Sequence, residues 1–279
     1  MVFFSKRLFA KLDRETFVPN AKFAHPETSQ TLSVKDFSLS IDGQQILDKV
    51  NVELPPNKIT CIIGPSGCGK STLLKSINRL TSTIEKVKTS GDILLGNDSI
   101  ENANQGQLVE LRRRVGLVPQ RPTPLPMSIF NNVAFGCKIH GLHNRRQLKK
   151  TVRHYLKVVG LWDEVKDRLN APATALSIGQ QQRLCLARSL AVEPEYVLAD
   201  EVTSALDPVS AKTVEDLFTT LKEQYSIVMV THTLSQAKRI ADYVVFIYLG
   251  KVIETGSAKD VFENPQNELT KKYLEGQFA

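Results

Sequence analysis

The sequence predicts an α/β fold: a mostly parallel sheet with helices on both faces, an antiparallel β subdomain, and an inserted α-helical subdomain. Three observations carry this. The short runs at residues 59–63, 196–199, 227–230 and 244–249 are almost wholly apolar, as strands buried on both faces must be. They alternate with segments of helical periodicity, which supply the crossovers of a parallel sheet. The stretch from Ser128 to about Arg188 breaks the alternation and is mostly helical, so a helical subdomain of about residues 121–188 is inserted.

The elements follow in order. Met1 to about Gln30 carries no clear fold signal; Phe4, Leu8 and Leu12 recur at helical spacing among basic residues, compatible with a short amphipathic helix on a membrane surface or with a frayed extension. From Leu32, the loose alternation of Leu32, Val34, Phe37, Leu39 and Ile41 reads as a strand closed by the Asp42-Gly43 turn. A second strand runs over residues 46–54 and ends at Pro55-Pro56-Asn57. After the buried run 59–63, helical periodicity appears at Leu73, Leu74, Ile77 and Leu80. Residues 91–100 read as a hairpin turning at Gly96-Asn97-Asp98, followed by a strand at 115–118. Within the helical stretch, Leu148, Val152, Leu156 and Val159 share one face. The later alternation places helices at 209–225 and 234–241. These readings give a nucleus of residues 31–265, an extension 1–30 and a tail 266–279.

Composition narrows the class. The 279 residues suffice for a sizeable core, and 42% hydrophobic with 23% charged residues is ordinary for a globular chain. No run of about 18 apolar residues occurs, so no segment is expected to span a bilayer. The N-terminus lacks the charge-then-apolar order of a secretory signal, so a cytoplasmic chain is expected. Cys61, Cys68, Cys137 and Cys185 show no Cys-x-x-Cys spacing and suggest neither a disulfide framework nor a zinc site. The net charge of +7 is spread out, with small clusters at Arg112-Arg113-Arg114, Arg145-Arg146 and Lys149-Lys150, which read as solvated helix faces, with nucleic acid or an anionic membrane surface as the alternatives.

Gly64-Pro65-Ser66-Gly67-Cys68-Gly69-Lys70-Ser71-Thr72 contains a full G-x-x-x-x-G-K-[ST] motif, between a buried strand and a helix. The glycines let backbone approach phosphates closely, and the amides with the helix N-terminus supply positive potential. Lys70 would reach the β- and γ-phosphates of ATP or GTP, and Ser71 would ligate Mg²⁺. Cys68 reads as a small filler in the loop. Asp200 and Glu201 end an apolar strand, where ligands sit in open α/β sheets. Asp200 would stand by the metal, and Glu201 would align the attacking water and take its proton. His232 ends another apolar strand at the same expected crevice and reads as a γ-phosphate contact.

Leu176-Ser177-Ile178-Gly179-Gln180-Gln181-Gln182-Arg183 resembles the L-S-G-G-Q signature of ATP-binding-cassette ATPases. With the phosphate loop, Gln120, Asp200-Glu201, Ser204-Ala205-Leu206-Asp207 and His232 in the family's order, the resemblance covers about residues 32–260. It implies a RecA-like P-loop NTPase core. It further implies two copies that sandwich ATP head to tail, each phosphate loop facing Ser177, Gly179 and Gln180 of the second copy. Gln120 would contact Mg²⁺ and water and begin the loop that senses the transporter; Asp207 would couple the two sites. The partners implied are two membrane permease subunits and, indirectly, an extracytoplasmic solute-binding protein, with the ATPase peripheral on the cytoplasmic face of the membrane. No nucleic acid is implied.

The segment Val118 to Ile129, with Pro122, Pro124 and Pro126, then Asn132 to Gly136, Gln180 to Arg188 and the ending Tyr273-Leu274-Glu275-Gly276, is similar to ATP-binding subunits of bacterial phosphate importers. An ATPase serving another solute is the alternative. Soluble relatives acting on DNA or ribosomes need a long coiled coil or two cassettes, and this sequence has neither. Three positions depart from the family: Ile178 for Gly, Val202 for Pro, and Ile41 near the place of the aromatic that stacks on adenine. Ile41 is expected to pack on adenine with some loss of stacking.

Overall fold

The computed structural model describes residues 30–277. The N-terminal extension, with Phe4, Leu8 and Leu12, lies outside the described residues. The chain forms two compact units.

The larger unit comprises residues 30–117, 195–201 and 221–277. Its central sheet has six strands in the order β10-β9-β3-β8-β7-β6. These are β3 (Ile59–Ile63), β6 (Val115–Val118), β7 (Tyr196–Asp200), β8 (Ser226–Val230), β9 (Tyr243–Tyr248) and β10 (Lys251–Ser257). β3 pairs in parallel with β8 and β9, β7 pairs in parallel with β8, and β10 runs antiparallel on β9. Every residue of β3, β7 and β8 is buried, which explains their unbroken apolar runs. Helix α1 (Lys70–Ile77) follows β3 and lays Leu73, Leu74 and Ile77 on the core, and helix α8 (Leu234–Ile240) follows β8.

The second sheet is antiparallel, ordered β2-β1-β4-β5, from β1 (Leu32–Ile41), β2 (Gln44–Leu54), β4 (Val87–Leu95) and β5 (Asp98–Ser99). β4 begins earlier than the hairpin read at residue 91. Gly91 does not start the strand; it faces a bulge at Asp36, where an added Cβ would lie 2.3 Å from the Asp36 carbonyl oxygen. The two sheets share one core, in which Leu32, Phe37, Leu39 and Leu54 meet Ile62, Leu198 and Val228. Tyr196 ties them together. Its buried hydroxyl accepts from Leu32 N at 3.1 Å and lies 2.9 Å from Gln30 O and 3.2 Å from Leu54 O, either of which takes its proton. Burial pushes this phenol up to about 12.

Three helices and a strand of this unit were not read from the sequence: α2 (Gln105–Arg114), β10, α9 (Ala258–Glu263) and α10 (Glu268–Leu274). The expected tail thus ends in an ordered helix, whose start is fixed by Asn267 and by Glu254, which accepts from Gln266 N at 2.8 Å and Asn267 N at 3.1 Å.

The smaller unit comprises residues 118–194 and 202–220. It holds α3 (Ile129–Ile139), α4 (Arg145–Val158), α5 (Trp162–Val165), α6 (Ile178–Leu190) and nearly all of α7 (Pro208–Leu221). α4 buries Leu148, Val152, Tyr155 and Leu156, the face its periodicity marks. The proline-rich loop before α3 is held by fully buried Asn132, whose side chain accepts from Leu125 N at 2.8 Å and donates to the carbonyls of Leu125, Met127 and Ser128. A run of prolines with few backbone donors needs such an external anchor.

Tyr196→Phe keeps the ring but leaves the Leu32 amide without its buried acceptor. It is expected to lower unfolding stability by about 1–3 kcal/mol, read by urea denaturation at neutral pH.

Candidate active site

The larger unit carries a cavity of about 680 Å³ at the C-terminal ends of its parallel strands, lined by Ile46, Ser66, Gly67, Gly69, Lys70, Ser71, Thr72, Glu201 and His232. Its size suits a nucleotide-sized ligand.

The loop from Gly64 to Gly69 is the cavity's floor, and its path is enforced sterically. Gly64 (φ 150°) passes so close to β9 that an added Cβ would lie 2.1 Å from the Ile247 carbonyl oxygen. Gly69 (φ 101°) begins α1, and a Cβ there would lie 2.8 Å from Leu47. Gly67 (φ 76°) has open space around it, so only its backbone conformation selects glycine. The β9–β10 turn closes the loop from outside: Gly250 N donates to Cys68 O at 3.1 Å. Burial pushes the Cys68 thiol up, and the Lys70 ammonium only partly offsets it.

Lys70 is buried, and its ammonium donates to Gly64 O at 2.9 Å and Pro65 O at 2.7 Å. The charge is therefore kept solvated by the loop's own carbonyls while standing at the cavity floor. Ser71 Oγ donates to Asp200 Oδ1 at 2.6 Å, and Lys75 Nζ lies 2.9 Å from Asp200 Oδ2. Ser71 and Asp200 are hard oxygen donors in direct contact. No group of three or more His, Cys, Asp or Glu that could hold a metal occurs among the described residues. Two protein oxygens with phosphates completing the shell is the donor set Mg²⁺ accepts, so these residues fit that ion.

Glu201 stands just past β7 with φ 48°, a left-handed conformation uncommon outside glycine, and its amide donates to Val230 O at 3.1 Å. That backbone reversal turns the carboxylate to the cavity, where Glu201 Oε2 lies 3.3 Å from His232 Nδ1.

The sequence-predicted residues thus divide. Gly67, Gly69, Lys70, Ser71, Thr72, Ser66, Glu201 and His232 line one cavity, with Asp200 bonded to Ser71. Ile41 does not line the cavity. It ends β1 paired with Gln44 and Val87 and packs on the core, and Ile46, beyond the Asp42-Gly43 turn, supplies the aliphatic wall. Gln120, Ser177, Gly179, Gln180 and Asp207 belong to the smaller unit. There Gln120 Nε2 donates to Ser204 Oγ at 3.2 Å. Ser177 caps α6 in a reciprocal box with Gln180. Gly179 sits against Ser210, and Asp207 accepts from Val209 N and Ser210 N. A hydrogen bond from the Ser210 side chain foremost, with those backbone bonds, holds the Asp207 carboxyl below its ordinary range. Sequence reasoning missed Lys75, although it lies one helical turn beyond Ser71 on α1 and so on the same face.

The model of the ABC transporter family matches residues 47–204. The chain belongs to the ABC transporter family. A phosphate import ATP-binding protein of Thermotoga maritima is 48% identical over 248 residues, spanning 89% of this chain and 98% of that protein. Among solved structures, the cbiO1 protein of Clostridium perfringens, part of the ABC transporter complex cbiONQ, superposes with TM-score 0.73 at 27% identity, covering 88% of this chain and 96% of that one. A bacterial Atm1-family ABC exporter shares the fold with TM-score 0.75 at 24% identity, covering 94% of this chain and 44% of that chain. As an ABC ATPase, the chain binds and hydrolyses ATP. No helix among the described residues is long and apolar enough to cross a membrane.

The two glycine constraints separate experimentally. Gly64→Ala meets backbone and is expected to weaken ATP binding about tenfold or more, whereas Gly67→Ala meets open space and costs about 1 kcal/mol of backbone strain. Titration with a fluorescent ATP analogue and thermal melts of both variants check the contrast.

Proposed function

We propose that this chain is the ATP-hydrolysing subunit of an importer of inorganic phosphate, working as a pair of copies beneath two membrane permease subunits. The cargo rests on one observation, the 48% identity over nearly the full length to the phosphate import ATP-binding protein of Thermotoga maritima. No residue of this chain needs to touch phosphate as cargo; the permease and a solute-binding protein outside the membrane would choose it.

The hydrolytic roles rest on the cavity's geometry. The loop amides from Ser66 to Thr72 and the N-terminus of α1 receive the phosphate oxygens. Lys70 has three donors; it keeps the Gly64 carbonyl as its anchor and turns from the Pro65 carbonyl to the β- and γ-phosphates, a short movement because the ammonium already stands at the cavity floor. Ser71 and Asp200 would hold Mg²⁺, which when bound neutralises charge on the phosphates. Glu201 orients the attacking water and takes its proton as the water oxygen bonds to the γ-phosphorus and the bridging bond to ADP breaks. His232, within reach of Glu201, contacts the γ-phosphate oxygens. Ile46 packs against the base in the role first expected of Ile41. Ser177, Gly179 and Gln180 of the second copy complete the site, and Asp207 couples the two. ATP closes the pair; hydrolysis and release open it, and the permease follows.

Lys70→Ala is expected to lower turnover roughly hundredfold or more, and Glu201→Gln to accumulate an ATP-bound pair of copies on size exclusion. Near-normal hydrolysis by the first, or a Glu201→Gln protein that stays single at saturating ATP, would sink the assignment. For the cargo, cells lacking this chain should lose uptake of labelled phosphate under phosphate limitation and regain it with the wild-type chain but not with Lys70→Ala. Undiminished uptake would assign the ATPase to another solute.

A further inference from the structure

Helix α10 lies more than 180 residues beyond the phosphate loop in sequence, yet it reaches the loop's first residue. The Gly64 amide donates to the Tyr273 hydroxyl at 3.2 Å, a contact spanning 209 positions. On its other side, the Gly64 carbonyl accepts from Lys70 Nζ at 2.9 Å. Gly64 is therefore held at both polar groups, by a phenol at its N–H and by the phosphate-site ammonium at its C=O. A side chain there is excluded as well, because Ile247 O and Cys68 Sγ stand where it would begin.

Tyr273 is itself firmly placed. Its ring stacks on Phe246 with centroids 4.9 Å apart and planes 20° from parallel. Phe246 pairs in parallel register with Ile63, the last residue of β3 and the one before Gly64. Stacking and hydroxyl thus act on the same point, the place where the central strand becomes the loop. Burial, the largest influence, raises the phenol's pKa despite the Gly64 amide bond, so the hydroxyl remains protonated across the physiological range.

We propose that Tyr273 is a positioning residue for ATP: through its hydroxyl, the C-terminal helix fixes the Gly64 peptide and so the carbonyl that aims Lys70 at the phosphates. This rests on the assignment of the loop and Lys70 to the phosphates. The physical consequence is specific. Without the hydroxyl, the peptide between Ile63 and Gly64 is free to tilt, and the Gly64 carbonyl that parks Lys70 tilts with the following residue. Phosphate affinity falls, while Glu201 and the rest of the hydrolytic apparatus are untouched. α10 is then a working part of the nucleotide site rather than a tail.

Tyr273→Phe tests this in the full-length chain, since it keeps the ring on Phe246 and removes only the hydroxyl. The expected result is a rise of about threefold to tenfold in the dissociation constant of a fluorescent ATP analogue and in KM for ATP, with kcat at saturating ATP changing less than KM. Hydrogen exchange read by mass spectrometry should show faster exchange in the peptide containing Gly64 and unchanged protection in α10. Unaltered nucleotide affinity in Tyr273→Phe would overturn the inference. So would lost protection of α10 together with reduced kcat at unchanged KM, the signature of a residue that merely holds the fold. Lys70→Ala run in parallel separates the two levels. If it weakens binding and Tyr273→Phe does not, only this inference fails; if it too leaves binding unchanged, the assigned site fails and this inference with it.

Discussion

The structure depends on bringing bare backbone to one point. Between Ile63 and Lys70 the chain must leave a buried strand, fold its amides toward an anion and enter a helix, all within six residues. β9 leaves no room for a Cβ at Gly64, and β2, through Leu47 and Ile46, leaves little at Gly69. Everything around the loop is arranged to hold that path. Gly250 N bonds Cys68 O, Leu47 packs on Gly69, and the ammonium of Lys70 gathers two loop carbonyls. A loop so confined pays little reorganisation when phosphate arrives, which is the basis of electrostatic preorganisation.

The same economy governs the acidic side. Asp200 is almost fully buried, a costly place for a charge, yet both its oxygens are engaged, one by Ser71 and one by Lys75. The next residue, Glu201, adopts a left-handed backbone that turns its carboxylate into the cavity. One peptide unit therefore separates a carboxylate held by neighbours from one aimed at solvent. Strand register makes this possible: Asp200 pairs with Val230, so β7 and β8 end together and deliver Glu201 and His232 to one edge.

How far this was legible in the sequence depended on the range of the forces involved. The buried strands announced themselves because burial on both faces forbids polar residues, and the loop because its glycines serve a local steric need. Helix α2 was missed although Asn104 and Gln107 form a full capping box; its interior is so polar that only Leu108 and Leu111 are buried. β10 was missed for a related reason, since an edge strand exposed on much of its length shows no strict alternation. Ile46 and Tyr273 were out of reach for a different reason. Which aliphatic residue walls the cavity is decided by the turn at Asp42-Gly43, and which tyrosine meets Gly64 by the packing of α10 on β9. Neither is encoded in local spacing.

The departures from the family pattern take on a definite meaning at Ile178. Glycine is indispensable where φ is positive or where a neighbour blocks Cβ, and Ile178 meets neither condition. It is the first residue of α6 after the Ser177 cap, has no positive φ, and stands 55% exposed, while the Ser177–Gln180 box forms regardless. The next position differs: Gly179 lies against Ser210, where a Cβ would sit 3.1 Å from the hydroxyl, and glycine is retained. Val202, for its part, is an apolar residue only 2% exposed. The isoleucine therefore falls where the fold of a single copy leaves a side chain in open space, and glycine persists where a side chain would crowd Ser210. Any effect of the isoleucine must come from what its exposed side chain meets, which under the proposed sandwich is the second copy's nucleotide site rather than its own.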